Sequence, residues 1–395
     1  MRHLTLPKPH PPSASAVWPS VSDKARSALF FLNQIIMRAT HIKGALLEYL
    51  VRNLLKSCGF SNVIADNFYS FKSRGLFFVN GKGAAHDADV IMNPPIQMPF
   101  TYPTQLLFEC KAYGGKANLP ILRNALGLRN DLNDFEIVTE EFLIERQKTQ
   151  RTTFAIDNRT RFLYQVGVAS VNGFTNSAIE FASNNKIPLL SLDWFLNSET
   201  ISDFNSIDQP LIDDFGENAS KNIYDFLKDR DGLLFDQKYT TAYQYLQADN
   251  VIAEIVTSGN ATINYSFAGL LETGDMVFLF EKKRSQNNIL SQRNGFNDLK
   301  AEIHWDIDRP NVWTLTVYNT NNPNLKTDFD FYVPSRIFSH WKQFNLDKVV
   351  ALDIKQRFFS KVFVFNGKDN PEMPFSIINI DRKWLEEIKI NLNRD

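Results

Sequence analysis

The strongest constraint on the fold lies in residues 81 to 113, which read GKGAAHDADVIMNPPIQMPFTYPTQLLFECKAY. This stretch predicts two strands joined by a proline-rich turn. The first strand, residues 86 to 92, is stopped by the Asn-Pro-Pro sequence that follows it, because proline cannot continue a ladder and restricts the residue before it. The second strand, residues 105 to 113, stops at a Gly-Gly pair. The first third of the chain is therefore expected to contain a sheet.

Side-chain alternation places charged residues together at the end of the second strand. Leu107, Glu109 and Lys111 share one face, since successive side chains of a strand point to opposite faces. Asp89 lies on the first strand, so pairing of the two strands brings it beside Glu109. Two carboxylates at one strand end form the oxygen-rich pocket that a hard divalent cation such as Mg2+ prefers. Lys111 then lies where an ammonium can hold an attacking water or steady a charged phosphate.

Asp89 followed by Glu109-Cys110-Lys111 resembles the D…(D/E)xK signature of the PD-(D/E)xK nuclease superfamily, also called restriction-endonuclease-like, and within it the Mrr-like group. Three further segments agree with the pattern of this superfamily. Residues 44 to 60 resemble its opening helix, which carries a Glu, and residues 86 to 90 resemble its strand with the Asp. Residues 167 to 178 resemble the strand, turn and helix that follow the ExK strand. The resemblance covers about residues 41 to 195. The sequence departs from the Mrr-like pattern in two places. The segment from 114 to 160 is longer than the short helical connection expected there. At Glu109 the Mrr-like group commonly has Gln, whereas the older superfamily pattern has Glu.

The resemblance implies an α/β fold: a restriction-endonuclease-like core with a mixed central sheet flanked by helices. It implies that Asp89, Glu109 and the backbone carbonyl of Cys110 bind Mg2+ or Mn2+, and that Lys111 orients the attacking water. Glu48 is implied as a fourth catalytic residue, which helps a second ion or the water network. Helical periodicity alone places Glu48 off the centre of the apolar stripe of its helix, so the alternative is an exposed side chain on a solvated face.

The resemblance implies metal-dependent hydrolysis of DNA phosphodiester bonds by an endonuclease, with a role in bacterial restriction or anti-phage defence. Double-stranded DNA is the expected partner, and a homodimer is expected because cutting both strands takes two sites. Partner proteins of a defence system are a further expectation. Two alternatives stay open: a nuclease fold that binds DNA or a partner with weak or no catalysis, and an RNA-directed nuclease. The complete set of Asp89, Glu109 and Lys111 favours an enzyme over a binding module.

The short signature also occurs elsewhere in the chain, so context decides which copy is used. The strongest rival is Asp353-Ile354-Lys355, which ends an apolar stretch that predicts a strand over residues 349 to 353. The upstream carboxylate for this copy is Asp330. The rival is disfavoured because residues 334 to 344 predict a helix in place of a hairpin turn, and because no strand–helix–strand crossover follows it.

At 395 residues the chain is too long for one ordinary domain, so we expect two domains. We predict an N-terminal arm and helix over residues 1 to 40, the nuclease domain over 41 to 197, and an α+β or mostly β C-terminal domain over 198 to 395. Recognition, dimerisation and regulation are the roles that fit this last domain. Residues 198 to 217 predict a polar linker, and residues 251 to 256 predict the first of several strands.

Charge is distributed unevenly along the chain. Residues 1 to 200 carry 21 Lys and Arg against 16 Asp and Glu, and the remainder carries 22 against 28. The positive excess lies on the half with the nuclease-like signature, which is the half that has to meet phosphates. Candidate phosphate contacts follow the signature strand: Arg146, Lys148, Arg151, Arg159 and Arg161. The alternative is a solvated face on which these cations pair with nearby glutamates.

Cysteine usage and hydropathy bear on the location of the protein. Its two cysteines, Cys58 and Cys110, fall within a predicted helix and a predicted strand, which does not support a disulfide framework and favours a reducing cytoplasm. No apolar run approaches the length of a membrane span, and the N-terminus lacks the apolar core of a signal peptide. A cytoplasmic protein without a membrane partner is therefore expected.

Overall fold

The computed structural model describes residues 37–73, 75–97, 101–135, 161–231, 244–246, 250–283, 288–291, 299–365 and 375–392. The chain divides into two compact units, Met1–Met37 and Arg38–Asp395. Two predictions fall outside the described residues: the arm and helix up to residue 36, and the phosphate contacts at Arg146, Lys148, Arg151 and Arg159. The predicted boundary between residues 197 and 198 stays a prediction.

A mixed sheet lies among the described residues between Arg38 and Ser191. The strands of this part, as far as it is described, are β1 (Ser61–Asn62), β2 (Ser70–Ser73), β3 (Leu76–Asn80), β4 (Ala85–Asp87), β5 (Val90–Asn93), β6 (Thr104–Lys111), β7 (Leu163–Ser170) and β8 (Leu189–Ser191). One sheet has the order β1-β5-β6-β7-β8. Strand β5 is antiparallel to β1 and β6, whereas β6, β7 and β8 run parallel. The predicted mixed sheet of an α/β region is therefore confirmed.

Helices pack against this sheet and against one another. Up to residue 263 they are α1 (Ala39–Ser57), α2 (Leu119–Asn133), α3 (Asn176–Asn185), a 3-10 turn at Leu192–Trp194, α4 (Ser198–Ser206), α5 (Gln209–Asp214), α6 (Glu217–Lys228) and α7 (Val251–Ile263). The crossover predicted after the ExK strand is present as β7, α3 and β8. Thr175 starts α3 by accepting a hydrogen bond from the Ala178 N–H at 3.3 Å, which satisfies one of the free donors at the helix start.

The strand predicted over residues 86 to 92 is wrong as a single element. The chain leaves a small antiparallel sheet, β2-β3-β4, after Asp87 and enters the central sheet at Val90. Ala88 still donates its N–H to the Phe77 carbonyl at 2.8 Å, so the change of sheet is completed within two residues. Asp89 therefore lies at the junction between two sheets, where its position depends on contacts other than a regular ladder.

Beyond residue 266 the described residues form a closed seven-stranded barrel. Its strands are β9 (Ser266–Leu271), β10 (Met276–Glu281), β11 (Leu299–Trp305), β12 (Val312–Asn319), β13 (Asn322–Tyr332), β14 (Lys361–Phe365) and β15 (Phe375–Ile380). The order is β10-β13-β12-β11-β15-β14-β9, with β9 pairing back onto β10, and the β11–β15 pair is parallel. Three helices accompany the strands: α8 (Ser335–Gln343), α9 (Lys348–Phe358) and α10 (Arg382–Leu392). This agrees with the expected α+β or mostly β region.

The polar linker predicted over residues 198 to 217 is wrong, because this segment consists largely of capped helices. Asn197 accepts a hydrogen bond from the Thr200 N–H at 2.7 Å and begins α4. Asp208 does the same for the Leu211 N–H at 3.1 Å and begins α5. The polar residues that suggested a linker are in part the side chains that start helices.

Two predicted strands are also wrong, since residues 251 to 256 belong to α7 and residues 349 to 353 to α9. Both segments are rich in β-branched residues, which favour strands on average. Local capping and tertiary packing outweigh that preference. Asn250 accepts from the Ala253 N–H at 3.0 Å, and Asp347 accepts from the Val349 and Val350 N–H groups at 2.8 and 3.0 Å. The helix predicted over residues 334 to 344 is confirmed as α8.

Lys355 of α9 is buried beside aromatic rings, with its Nζ 5.7 Å from the Trp313 ring centroid and 5.1 Å from that of Trp384. Burial lowers the pKa of Lys355 to about 8. Between pH 8 and the ordinary value of 10.5 the unfolded chain therefore holds more protons than the folded one, so this group makes stability rise with pH in that window.

Lys355→Met is expected to raise the free energy of unfolding at pH 7 by about 1 to 3 kcal/mol, because the cost of burying a charge is removed while the cation–π attraction is lost as well. The substitution should also reduce the increase in the free energy of unfolding between pH 8 and 10.5. Urea unfolding as a function of pH measures both effects. Lys348→Met, at an exposed position of the same helix, is the control. Equal behaviour of the two variants would contradict the prediction.

Both cysteines, Cys58 and Cys110, are buried free thiols. Of the helices in the described part of the chain, none is long and apolar enough to cross a bilayer.

Candidate active site at the junction of two sheets

The register between β5 and β6 brings Asp89 next to Glu109. Val90 pairs with Phe108, Ile91 with Leu107 and Met92 with Leu106, and Asp89 directly precedes the first of these pairs in β5, within electrostatic reach of Glu109. Asp89 Oδ2 accepts a hydrogen bond from the Cys110 N–H at 2.8 Å. The carboxylate of Asp89 is thus held against the end of the strand that carries Glu109.

Lys111 pairs with Glu109, two residues earlier on the same strand and face. Its Nζ lies 2.9 Å from Glu109 Oε2, and both side chains are about three-quarters covered. Burial alone lowers the pKa of Lys111, but the Glu109 carboxylate outweighs it and the net effect is a raised pKa. Burial and the charge of Asp89 raise the pKa of Glu109, against the opposing effect of Lys111. Lys111 is therefore held as a cation beside a carboxylate that is costly to ionise.

Glu48 lies within electrostatic reach of Asp89, and it is buried. Its Oε2 accepts from Lys228 Nζ at 2.6 Å, and the side chains are only 8% and 18% exposed. Burial raises the pKa of Glu48 to about 7, opposed by Lys228 and assisted by Asp89. The alternative of a solvated Glu48 is therefore wrong.

The reason for the burial of Glu48 is that α1 is covered on more than its apolar stripe. Helices α6 and α7 pack on it: the Tyr49 and Phe226 rings are 5.7 Å apart, and Asn53 Nδ2 donates to Asn260 Oδ1 at 2.9 Å. Gly259 of α7 approaches so closely that an added Cβ would lie 2.6 Å from Leu50 Cδ2. A single-helix pattern predicts one buried face, and the second covering comes from residues far along the chain.

Asp87 is a further carboxylate of the site, two residues before Asp89. It is exposed to solvent, and it ends β4 opposite Phe78. Partial burial raises the pKa of Asp87, and the charge of Asp89 raises it further. The positive charges of Lys228 and Arg230 act in the opposite direction. The charges of Asp87, Asp89 and Glu109 act on one another, so these three side chains form one acidic cluster centred on Asp89.

Two cations of this site come from beyond residue 197 and carry no signature in the sequence. Lys228 ends α6, and Arg230 follows it; the local sequence Lys-Asp-Arg-Asp reads as a solvated run of charges. Arg230 is half-buried, and its guanidinium donates to the Ala88 carbonyl and, at 2.9 Å, to the Asp89 carbonyl. Only the long-range fold brings them there, since Lys228 is 180 residues from Glu48.

The formal charges of the site nearly cancel before any ion is added. The groups linked by these electrostatic interactions are the carboxylates Glu48, Asp87, Asp89, Glu109, Asp229 and Asp231 and the cations Arg52, Lys56, Lys72, Lys111, Lys228 and Arg230. Six groups of each sign give a site that becomes positive when a divalent cation enters. An anion such as a phosphodiester would then restore the balance.

The donor atoms suit Mg2+ or Mn2+. These hard cations prefer carboxylate and carbonyl oxygens, and among the described residues the hydrogen bonds of Asp89, Glu109 and Glu48 use one carboxylate oxygen each. Within the described part of the chain, however, no three His, Cys, Asp or Glu side chains are already gathered around one point. A bound ion therefore requires Glu109 or Glu48 to rotate away from its lysine. The residues fit the ion in chemistry, and side-chain rotation has to complete the geometry.

Arg161 is the member of the predicted basic run that the structure describes, and it lies far from the acidic cluster. It precedes β7, whose start pairs with Thr104, whereas Lys111 pairs with Ser170 at the other end of the same two strands. At about 3.3 Å per residue the two ends are roughly 23 Å apart. Its guanidinium donates to the Asn133 carbonyl at 2.9 Å and covers the Tyr102 ring. The structure thus brings Asp89, Glu109, Lys111 and Glu48 together and leaves Arg161 outside.

No protein-family model matches the chain, and no curated protein matches it either. Among solved structures the chain is similar to one described as "Crystal Structure of Protein of Unknown Function AF1548", at 14% sequence identity and a TM-score of 0.26. The likeness covers 55% of this chain and 100% of that chain. At this TM-score it carries no argument about fold or function.

Proposed function

We propose that the chain is a metal-dependent DNA endonuclease whose residues 41 to 197 form a restriction-endonuclease-like core. The observation that carries the proposal is the meeting of Asp89, Glu109 and Lys111 where β5 and β6 adjoin, with Asp89 fixed by the Cys110 N–H. These are the residues of the D…(D/E)xK signature, in the roles that phosphodiester hydrolysis needs. Glu48, buried and in electrostatic reach of Asp89, adds a third carboxylate.

Each residue has a distinct role in the proposed reaction. Asp89, Glu109 and the Cys110 carbonyl would hold Mg2+ or Mn2+, which when bound activates a water and stabilises negative charge on the phosphate. Lys111, whose ammonium is paired with Glu109, would orient the water and balance the charge of the phosphate. Substrate arriving with the ion competes with Glu109 for the ammonium of Lys111, which frees a carboxylate oxygen.

The finer features of the proposal rest on the sequence resemblance. They are a role in bacterial restriction or anti-phage defence, double-stranded DNA as substrate, a homodimer that supplies one site for each strand, and a cytoplasmic location. The charge balance of the site supports an anionic substrate that binds together with a divalent cation.

A binding module without catalysis is the second candidate, and one observation favours it. Glu109 and Glu48 each form an ion pair with a lysine, at 2.9 and 2.6 Å. The negative charges of both carboxylates are thus neutralised by side chains, without a metal ion. In such a protein the ion pairs would persist and DNA would bind without hydrolysis.

The test is cleavage of supercoiled plasmid and of phage DNA, modified and unmodified, in Mg2+, Mn2+ or a chelator, by the wild type and Lys111→Met. Loss of the ammonium is expected to lower the rate by about 100-fold or more, because charge that develops on the phosphate loses its nearest cation. Lys116→Met, five residues further on, is the control. Metal-dependent nicking that needs Lys111 supports the endonuclease, whereas tight DNA binding with no hydrolysis in any metal supports the binding module.

A further inference from the structure

A five-residue segment outside the nuclease-like region joins the two parts of the chain that carry Glu48 and Asp89. We name residues 227 to 231 the bridging segment; it comprises the last two residues of α6 and the three that follow. One end of it reaches Glu48 on α1, and the other reaches Asp89 at the junction of β4 and β5. These contacts link parts of the site that the local sequence places on separate elements.

The bridging segment is itself fixed by hydrogen bonds from α1 and β1. Arg52 donates to the Leu227 carbonyl, and Lys56 Nζ and Asn62 Nδ2 both donate to the Arg230 carbonyl at 2.8 Å. Lys72 forms an ion pair with Asp231 at 2.6 Å. A backbone held at this many points is a stiff support for the side chains that it carries.

Arg230 uses that support to hold the junction that precedes β5. Its guanidinium donates to two successive carbonyls, Ala88 and Asp89, and lies over the Phe77 ring with 5.0 Å between its Cζ and the ring centroid. The chain changes sheets at these two residues, and one guanidinium nitrogen, Nη2, donates to both carbonyls where ladder bonds are missing. Arg230 thereby sets the backbone from which the Asp89 carboxylate projects toward the Cys110 N–H.

We propose that Arg230 is a positioning residue of the active site, acting through Asp89, and that the bridging segment couples Asp89 to Glu48. This inference rests on the proposed function, since it assigns Asp89 the role of a metal ligand. Partners that orient a metal ligand change metal affinity by about 10- to 100-fold when they are replaced. An Arg that only stabilised the fold would lower the melting temperature without that change.

The experiment compares Arg230→Lys with Arg129→Lys. Arg129 makes the same kind of bond, from its guanidinium to the Asn185 carbonyl at 2.8 Å, but between α2 and α3 and away from the carboxylates. Both substitutions keep the charge and replace the rigid planar guanidinium by a flexible, more compact ammonium. Three quantities are measured for each full-length protein: the melting temperature, Mn2+ binding by electron paramagnetic resonance without DNA, and the Mn2+ concentration that half-saturates cleavage.

The expected result is weaker Mn2+ binding by about 10-fold or more, and a matching rise in the half-saturating concentration, for Arg230→Lys alone. If the wild type binds Mn2+ and cleaves DNA, and Arg230→Lys binds Mn2+ with the same affinity, the positioning role is overturned. The proposed function then stands. A wild type that neither binds Mn2+ nor cleaves would overturn the proposed function and the positioning role together. If Arg230→Lys does not fold, Arg230→Gln, which keeps a planar donor group, replaces it in the same comparison.

Discussion

Asp89→Asn is expected to lower the rate of metal-dependent DNA cleavage by about 1,000-fold, since losing one charged ligand removes several kcal/mol of transition-state stabilisation. The substitution keeps the size of the side chain, and its amide oxygen can still accept the Cys110 N–H that bonds to Asp89 Oδ2 at 2.8 Å. The junction of the two sheets should therefore survive, and the loss should be one of charge. Single-turnover cleavage of a plasmid at saturating Mn2+ measures it.

Asp353→Asn is the matched control for this prediction. Asp353 belongs to the rival Asp-x-Lys sequence, but it lies on α9, half-exposed, and pairs with Arg357 one turn away at 3.3 Å. We expect an unchanged cleavage rate, because exposed pairs of this kind contribute little even to stability. Similar losses in Asp89→Asn and Asp353→Asn would show that the assignment of the site to β5 and β6 is wrong.

Trp313→Ala is expected to lower the free energy of unfolding by about 3 to 5 kcal/mol, the largest stability effect that we predict for a single residue. Trp313 is fully buried in the barrel and lies between other rings, with centroid distances of 5.4 Å to Trp341, 5.6 Å to Phe359 and 6.4 Å to Phe331. Removing it leaves a cavity that several rigid rings cannot fill together. Urea unfolding followed by circular dichroism measures the change.

Trp305→Ala serves for comparison, because Trp305 is half-buried and its ring contacts Trp341 at 4.8 Å from the end of β11. Its replacement should cost clearly less, since less apolar surface is withdrawn from water. An equal loss for both tryptophans would mean that the centre of the barrel is not the tightly packed part of this region.

The central pair of strands and its carboxylates were accessible to prediction because their signals are local. Proline and glycine bound the strands, alternation assigns Glu109 and Lys111 to one face, and an antiparallel register follows from a short connection. The crossover of β7, α3 and β8 was accessible for the same reason. Each of these features is decided by residues within about thirty positions of one another.

The remainder of the site depends on distant contacts that no local pattern encodes. Lys228 and Arg230 reach Glu48 and Asp89 across 180 and 141 residues. The β-branched segment that begins at Val251 is helical because Asn250 caps it and because α1 and α4 pack against it. Local preference for a strand is weak compared with the burial of such a helix. The closure of the barrel is likewise a property of seven strands together.

The order in which the site is assembled along the chain affects when a newly made protein can act. Glu48, Asp89 and Glu109 leave the ribosome before α6 has been translated, so for a time the three carboxylates exist without the cations of the bridging segment. At about 5 to 20 residues per second, translation from Lys111 to Arg230 takes roughly 6 to 24 s. During that interval the nascent chain holds repelling carboxylates and an unsupported junction at Asp89. The proposed site would therefore be complete only after translation has passed Arg230.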